Sequence, residues 1–322
     1  MGEFDLIAKY FAPLVVHKGA LGLTDDASIL HIPAGHEAVI TKDVMIEGVH
    51  YPEGTDPSLV ARKLLRVNLS DLAAMGATPL GYWLGCQLPR AEAEPWLKAF
   101  CKGLEQDQNE FGFSLMGGDT VATPGPVALS LTAMGTVPTG QALRRSGAKP
   151  GDQIWVSGTI GDGCLGLVVV NGDGLGLSTA DQDYLKGQLD LPSPRCGLGM
   201  ALRGLASAAI DVSDGLAADA GHLAQASQVI LQIDADCVPL SAAAKNALNT
   251  AKALLDDLVS GGDDFELLFT APPANAAAIR DAAKGAKVEA TMIGEVVSGA
   301  GEVQITVNGV ELALKKSGFT HF

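Results

Sequence analysis

The chain has 322 residues, of which 47% are hydrophobic and 18% charged, so it can bury a sizeable core and disorder is not expected. Its length suits two domains of roughly 150 residues each. The formal net charge of −15 at pH 7 argues against binding to nucleic acid or to an anionic membrane surface.

The first half of the chain is predicted to alternate strands with helices. Asp56-Pro57 supplies an N-cap followed by proline at the first helical position, and Gly76 marks the end of the helix that begins there. Helices are predicted over residues 57–75 and 92–111. Strands are predicted over residues 37–50, 80–88 and 126–137, and one more leads into Gly117.

A basic connector with glycine and proline follows at residues 144–152, and we place a domain boundary within it, between residues 145 and 146. The second half again alternates strands with helices, which predicts an α/β domain with helices covering a sheet. Strands are predicted over residues 153–157, 208–212, 229–234 and 265–270 and within 287–312. One helix is predicted after the glycine-rich turn at 161–166, followed by a polar stretch at 171–190 and a second helix that ends at about residue 206. A third is predicted over 215–227, and one more after each of residues 234 and 270.

The five cysteines are dispersed without any Cys-x-x-Cys pair, which is typical of reduced thiols in a cytoplasmic protein. The N-terminal residues mix acidic with apolar side chains, so we do not expect a signal peptide. No apolar run reaches the roughly 18 residues that a membrane-spanning helix needs. The sequence therefore predicts a cytoplasmic protein.

Six short acidic segments fall where a strand or helix is predicted to end, which is where side chains converge on a cleft. Mg²⁺ prefers oxygen ligands and is usually held by a few carboxylates together with substrate phosphates. One Asp-Asp pair in a loop is ordinary, but several such segments are hard to explain as solvated loops. They occupy residues 24–26, 41–43, 68–71, 117–120, 211–215 and 261–264. The pattern predicts a divalent-cation site.

Asp71 lies on the same face of a predicted helix as Leu64, Asn68 and Met75. The upper part of that face is apolar, so Asp71 would be carried toward the interior, where a carboxylate must be paired, hydrogen-bonded or metal-bound. Two interpretations stay open at this point. Asp71 is either a metal ligand or a structural residue that pairs with an arginine such as Arg66 or makes a local cap.

Other motifs carry weaker signals. Residues 161–166 fit G-x-G-x-x-G, but the acids that follow lie in a polar stretch, so a tight strand-to-helix turn is preferred to nicotinamide binding. The chain contains neither a P-loop nor a G-x-S-x-G segment, and its histidines show no metal-ligand spacing. His50 is either a ligand contact or structural. The pair Arg144-Arg145 is either a solvated surface pair or a phosphate clamp.

Several long motifs, in order, resemble those of the thiamine-monophosphate kinase family. The most specific are NLSDLAAMGA (68–77), GGDT (117–120), RRSGAKPGD (144–152), AIDVSDGL (209–216) and SGGDDFEL (260–267). That family belongs to a superfamily with aminoimidazole ribonucleotide synthetase, selenophosphate synthetase and a hydrogenase maturation factor. The resemblance covers nearly the whole chain.

The resemblance implies an α/β (α+β) fold of two domains. Residues 1–145 would bind ATP and magnesium and dimerise, their mixed sheet closing a barrel with that of a second subunit. Residues 146–322 would form a C-terminal α/β domain. The implied partners are ATP, Mg²⁺, thiamine monophosphate and a second copy of the chain.

The resemblance also implies the reaction, which is direct in-line transfer of phosphate from ATP to thiamine monophosphate, the last step of thiamine diphosphate biosynthesis. The implied catalytic residues are Asp43, Asp71 and Asp211. The implied metal ligands are Asp26, Thr41, Asp43, Asp71, Asp119, Asp211 and Asp214. Implied nucleotide contacts are Gly118, Asp119, Arg145 and Ser213, and implied contacts to thiamine monophosphate are His50, Asp263 and Phe319.

Several positions depart from the family pattern. Lys42 stands where the family has threonine, and an ammonium group cannot ligate magnesium. Lys316 replaces a common tryptophan, so Phe319 is expected to stack on the thiamine instead. The alternatives are a related enzyme with a different phosphate acceptor, a non-catalytic nucleotide-binding paralogue, and a nicotinamide-dependent oxidoreductase.

Overall fold

The computed structural model describes residues 3–90, 93–251, 254–314 and Gly318. The chain divides into two units, the first made of residues 1–72 and 77–140 and the second of residues 73–76 and 141–322. Phe319 and Lys316 lie outside the described residues. Within the described part of the chain, we find no helix with both the length and the apolar character that crossing a lipid bilayer requires.

A four-stranded mixed sheet forms the centre of the first unit. Its strands are β1 His36–Ile46, β2 Thr78–Pro89, β3 Ser114–Thr123 and β4 Ala128–Pro138, in the order β1-β4-β2-β3. Strand β4 is antiparallel to both β1 and β2, whereas β2 and β3 are parallel. Strands β1 and β3 therefore form the two edges of the sheet.

The helices of the first unit are α1 Glu3–Leu6, α2 Pro57–Ala74, which belongs to this unit up to Leu72, and α3 Ala93–Phe111. Short π and 3₁₀ turns occupy Ile7–Phe11, Ala12–Leu14 and Lys18–Leu23. Asp56 caps α2 by accepting a hydrogen bond from the Ser58 amide at 2.8 Å. Arg66 of α2 donates to Asp107 of α3 at 2.7 Å, so a buried ion pair joins the two long helices.

A seven-stranded sheet forms the centre of the second unit, in the order β11-β10-β7-β9-β5-β8-β6. Its strands are β5 Gln153–Ser157, β6 Ala208–Val212, β7 Val229–Asp234, β8 Glu266–Ala271, β9 Ala290–Ser298, β10 Glu302–Val307 and β11 Val310–Glu311. Its helices are α4 Asp162–Val170, α5 Thr179–Asp190, α6 Cys196–Ala201, α7 Leu216–Ser227, α8 Ala242–Thr250, α9 Leu254–Ser260 and α10 Ala276–Gly285. The buried core includes Ile154, Ile210 and Leu268 from the sheet and Leu223 from α7.

The strands around the Gly161–Gly166 turn exclude a dinucleotide-binding βαβ unit. Strand β5 is antiparallel to both of its neighbours, β8 and β9, whereas that unit needs a parallel neighbour. Gly161 has a φ of +90° and directly precedes α4. The preferred interpretation, a tight strand-to-helix turn, is therefore confirmed, and the G-x-G-x-x-G match was fortuitous.

Some predicted elements were wrong in extent. The polar stretch at 171–190 contains α5, which Ser178 caps by accepting from the Asp181 amide. The strand predicted over 37–50 ends at Ile46, and the helix predicted up to about residue 206 ends at Ala201. Asp43 and Asp119 were predicted at the ends of elements, but they lie inside β1 and β3.

Candidate functional site

In the first unit, Thr41, Asp43 and Asp71 form a cluster. Thr41 and Asp43 are two positions apart on β1 and so point to the same face of the sheet. The Thr41 hydroxyl donates a hydrogen bond to Oδ2 of Asp71, which α2 supplies. Burial, and secondly the charge of Asp71, raises the pKa of Asp43 to about 7. We call these three residues the β1–α2 cluster.

Oδ2 of Asp43 is buried and has no hydrogen-bond partner among the described residues. An isolated buried carboxylate oxygen is costly, and a second carboxylate nearby adds repulsion. A divalent cation would remove both penalties, because it attracts both carboxylates and accepts their oxygens as ligands. The β1–α2 cluster supplies only oxygen atoms, so its residues fit Mg²⁺.

A second group of predicted residues lies at strand β3. Asp26, Gly118 and Asp119 line a cavity of about 580 Å³, together with Trp83 and other residues of the first unit. Any side chain at position 118 would collide with the backbone carbonyl of Leu84 on β2, so glycine is required there. This cavity combines carboxylates with an apolar wall.

Within one chain, the two groups of the first unit are separate. The strand registers place Asp43 and Gly118 in the same row of the sheet, on opposite edge strands. Three interstrand spacings amount to about 14 Å. The first unit therefore brings the predicted metal ligands together as two groups, one with Thr41, Asp43 and Asp71 and the other with Asp26 and Asp119.

Lys42 does not enter the β1–α2 cluster. Neighbouring residues of a strand point to opposite faces, and the Lys42 ammonium donates to the Ser130 hydroxyl at 2.5 Å. The unusual lysine therefore replaces no oxygen of the cluster. His50 accepts a hydrogen bond from the Ile46 amide at 3.0 Å through Nδ1.

In the second unit, four predicted residues gather at one end of three neighbouring strands, where β5 and β6 end and β8 begins. Strand β8 is antiparallel to both β5 and β6, so it begins where those two strands end. Asp211 is buried near the end of β6, and Ser213 and Asp214 follow it. The amide of Asp263, just before β8, donates to the carbonyl of Ser213 at 2.9 Å.

Arg145 lies apart from these four residues. Its side chain is exposed, and its carbonyl accepts a hydrogen bond from Ser227 at the last position of α7. Ser213 and Asp214 lie before the first residue of the same helix. At 1.5 Å per residue, the length of α7 puts about 17 Å between the two backbone positions.

The sequence analysis missed two buried carboxylates at this end of the strands, Asp219 and Asp264. Asp219 accepts hydrogen bonds from three consecutive amides, those of residues 213–215. Asp264 accepts from the amides of Gly161 and Gly163. Burial raises the pKa of Asp219 to about 7 and that of Asp264 well above its usual value. Asp264 was within a predicted acidic segment, but nothing local distinguished it from Asp263.

Comparison with known proteins gives a consistent result along the whole chain. Residues 24–137 match the family described as "AIR synthase related protein, N-terminal domain", and residues 149–306 match its C-terminal counterpart. A thiamine-monophosphate kinase of Caulobacter vibrioides is 43% identical over 99% of this chain and 90% of its own length. The enzyme of Salmonella typhimurium is 40% identical over 100% of this chain and 98% of its own length.

Solved structures agree with these relatives. The thiamine-monophosphate kinase of Stenotrophomonas maltophilia K279a has a TM-score of 0.84 and 40% identity, covering 97% of this chain and 98% of that one. A protein called AaThiL, solved with AMPPCP and TMP, has a TM-score of 0.79 and 29% identity, covering 100% of this chain and 97% of that one. From the family match and the full-length identity, we conclude that this chain belongs to the thiamine-monophosphate kinase family of AIR synthase related proteins.

Proposed function

We propose that this protein transfers a phosphate from ATP to thiamine monophosphate in a reaction that depends on Mg²⁺ and gives thiamine diphosphate. The observation that carries the proposal is the β1–α2 cluster, in which a buried carboxylate oxygen of Asp43, without a partner in the described part of the chain, lies beside Asp71. Relatives of this chain that share its full length are named for this reaction. AaThiL was solved with both an ATP analogue and TMP.

Electrostatics explains why such a site is rich in aspartate. Two phosphate groups must approach each other, and at about 4 Å and an effective dielectric near 20 each pair of unit charges costs roughly 4 kcal/mol. Bound Mg²⁺ would supply the positive charge that offsets this repulsion. The attacking phosphate oxygen is already ionised at neutral pH, so the transfer needs no general base.

We assign the roles of individual residues as proposals. Ligands to magnesium come from Thr41, Asp43 and Asp71 of the β1–α2 cluster, from Asp26 and Asp119, and from Asp211 and Asp214 of the second unit. Gly118, Asp119, Arg145 and Ser213 contact the nucleotide, while His50, Asp263 and Phe319 contact thiamine monophosphate. The oxygen-rich surroundings of Asp43 and Asp71 support the first assignment most directly.

We further propose a homodimer in which the four-stranded sheets of two subunits close a barrel. Strand β1 pairs only with β4 and strand β3 only with β2 among the described residues, so each leaves its outer side without a partner strand. Three apolar side chains on these edge strands are exposed: Ile40 at 63%, Val44 at 46% and Val121 at 45%. Open edges and exposed apolar side chains are both features that association removes.

The domain roles and the cellular location are also proposals. Residues 1–145 are proposed to be the domain for ATP, magnesium and dimerisation, and residues 146–322 the C-terminal α/β domain. A cytoplasmic location is proposed because the five cysteines are dispersed along the chain without any Cys-x-x-Cys pair.

A coupled assay of ADP formation tests the proposal. ADP should appear only when thiamine monophosphate, ATP and Mg²⁺ are all present, and omission of any one should abolish it. Turnover with an aminoimidazole precursor but not with thiamine monophosphate would favour the alternative that this protein is a related enzyme with a different phosphate acceptor. Binding of ATP without turnover on any acceptor would identify a non-catalytic paralogue.

A further inference from the structure

Three segments of the second unit pack tightly against one another at the end of β5, β6 and β8 where the predicted ligand residues gather. They are residues 158–163, which follow β5 and include the first two residues of α4, residues 213–215 after β6, and residues 260–265, which run from the last residue of α9 to β8. Any side chain at Gly163 would collide with the backbone carbonyl of Asp263, and one at Gly262 with that of Ser213. The loops therefore fit closely enough that a displacement of one shifts the next.

The loop at 260–265 has an unfavourable backbone conformation. Asp263 has a φ of +69° and Phe265 a φ of +52°, in the left-handed region that residues with a side chain rarely adopt. Such a conformation persists only where the surrounding structure enforces it. Two backbone hydrogen bonds contribute, from the amide of Asp263 to Ser213 and from the amide of Phe265 to Val212.

The carboxylate of Asp264 lies between those two strained residues and makes the third attachment. Its Oδ2 accepts from the Gly161 amide at 2.8 Å and its Oδ1 from the Gly163 amide at 3.1 Å. Asp264 is 9% exposed. Both oxygens are thus used by the 158–163 loop, and this side chain serves to hold Asp263 in place.

Asp219 holds the 213–215 loop in a comparable way. Its Oδ2 accepts from the amides of Ser213 and Asp214 at 3.0 Å each and from that of Gly215 at 3.2 Å. Asp219 is 3% exposed and lies in the first turn of α7. A single buried oxygen therefore determines the path of the backbone that carries Ser213 and Asp214.

We propose that Asp219 and Asp264 are positioning residues of the phosphoryl-transfer site, each fixing through backbone amides a loop that carries ligand-contacting side chains. Asp219 positions Ser213 and Asp214 for nucleotide and metal, and Asp264 positions Asp263 for thiamine monophosphate. This inference rests on the proposed function. It predicts that the two carboxylates affect different substrates.

The test compares steady-state constants of three variants. In Asp264→Asn, the amide NH₂ would face a backbone N–H, so the loop loses one attachment. We expect its KM for thiamine monophosphate to rise about tenfold or more, with the KM for ATP within about twofold, since outer-shell partners typically contribute 10- to 100-fold. Asp219→Ala should raise the half-saturating Mg²⁺ concentration by about 10- to 100-fold. Asp219→Asn keeps an oxygen toward the three amides and should recover most of that loss.

Asp152→Asn is the matched control. Asp152 is also buried, at 4% exposure, and it accepts a hydrogen bond from the Lys149 amide at 3.0 Å. It directly precedes the first residue of β5, whereas residues 158–163 follow the last residue of that strand. This variant should lower the melting temperature and leave every KM unchanged. If Asp264→Asn and Asp219→Ala behave like Asp152→Asn, the positioning role is overturned.

Two further measurements keep the test decisive. Should Asp264→Asn fail to fold, Gly163→Ala provides a second variant. Its methyl group would collide with the backbone of Asp263 and displace the segment 260–265, so it must give the same selective rise in KM for thiamine monophosphate. The increase in melting temperature caused by Mg²⁺ with ADP is measured without turnover, and Asp219→Ala must reduce it. A wild-type protein that shows this thermal shift but no turnover contradicts the proposed function, while an unchanged shift in Asp219→Ala contradicts the positioning role.

Discussion

The hydroxyl of Thr41 donates a hydrogen bond to the carboxylate of Asp71, and this contact joins strand β1 to helix α2. It holds Asp71 beside Asp43, whose Oδ2 is buried without a hydrogen-bond partner among the described residues. Two carboxylates are thereby kept close together in a partly buried position, which raises the pKa of Asp43. This arrangement is unfavourable for two ionised carboxylates, and a divalent cation would offset their repulsion.

The first prediction concerns the stability of the metal-free protein. The folded-state pKa of Asp43, about 7, lies above its unfolded value of 3.8, so folding favours the protonated form. The resulting stability is fully present below about pH 4 and is lost as the pH rises through 7, by at most about 1.4 kcal/mol per pH unit. Asp43→Asn stays neutral, so its melting temperature should exceed that of the wild type by an amount that grows from pH 5 to about pH 7 and then levels off.

Two additions sharpen this measurement. Mg²⁺ should raise the melting temperature of the wild type more at pH 8 than at pH 5, because a ligand carboxylate must be ionised. Asp183→Asn changes an exposed aspartate of α5 and serves as the control, with no pH-dependent difference from the wild type. A constant difference between Asp43→Asn and the wild type across this range would contradict the assignment.

The second prediction concerns turnover. Asp43→Asn and Asp211→Asn each remove a charged oxygen ligand while preserving side-chain shape, so kcat should fall by at least on the order of 100-fold. Circular dichroism should show an unchanged fold, and Asp183→Asn should remain as active as the wild type. Activity near the wild-type level in both ligand variants would refute the metal-site assignment.

The third prediction separates two neighbouring residues of β1. Lys42 donates to Ser130 on the face opposite the β1–α2 cluster, so Lys42→Thr should change kcat and the Mg²⁺ requirement by less than about twofold. Thr41→Val removes the hydroxyl that holds Asp71, so the half-saturating Mg²⁺ concentration should rise about tenfold or more. Titration of activity with Mg²⁺ measures both. The reverse order of effects would show that Lys42 faces the metal.

Part of the fold could be predicted because some strands carry a strong local signal. Strands β5, β6 and β7 were predicted with their observed bounds, since each is a short run of apolar residues bounded by polar or glycine residues. Helix α5 was missed because only Leu185 and Leu189 are buried in its twelve residues. A helix with so few apolar positions resembles a polar loop in sequence.

The site was predictable only where the chemistry of a residue is local. Aspartates in acidic segments suggested metal binding, and the structure gathers four of the predicted residues where β5 and β6 end and β8 begins. The role of Asp264 depends on amides about 100 positions earlier in the chain. The separation of Asp43 from Asp119 likewise follows from strand order, which residue spacing does not specify.

The last prediction tests the proposed dimer through the exposed face of β1. Ile40 and Val44 are four positions apart on this strand, so they point to the same side, with Lys42 between them. Ile40→Asp would place two carboxylates in a twofold-symmetric interface, and we expect it to weaken dimerisation by at least about 100-fold. Sedimentation velocity should show a wild-type dimer and a monomeric variant. Val310→Asp is the control, because Val310 is 69% exposed in the second unit and should leave the dimer intact. A variant at position 40 that stays dimeric would contradict the barrel interface.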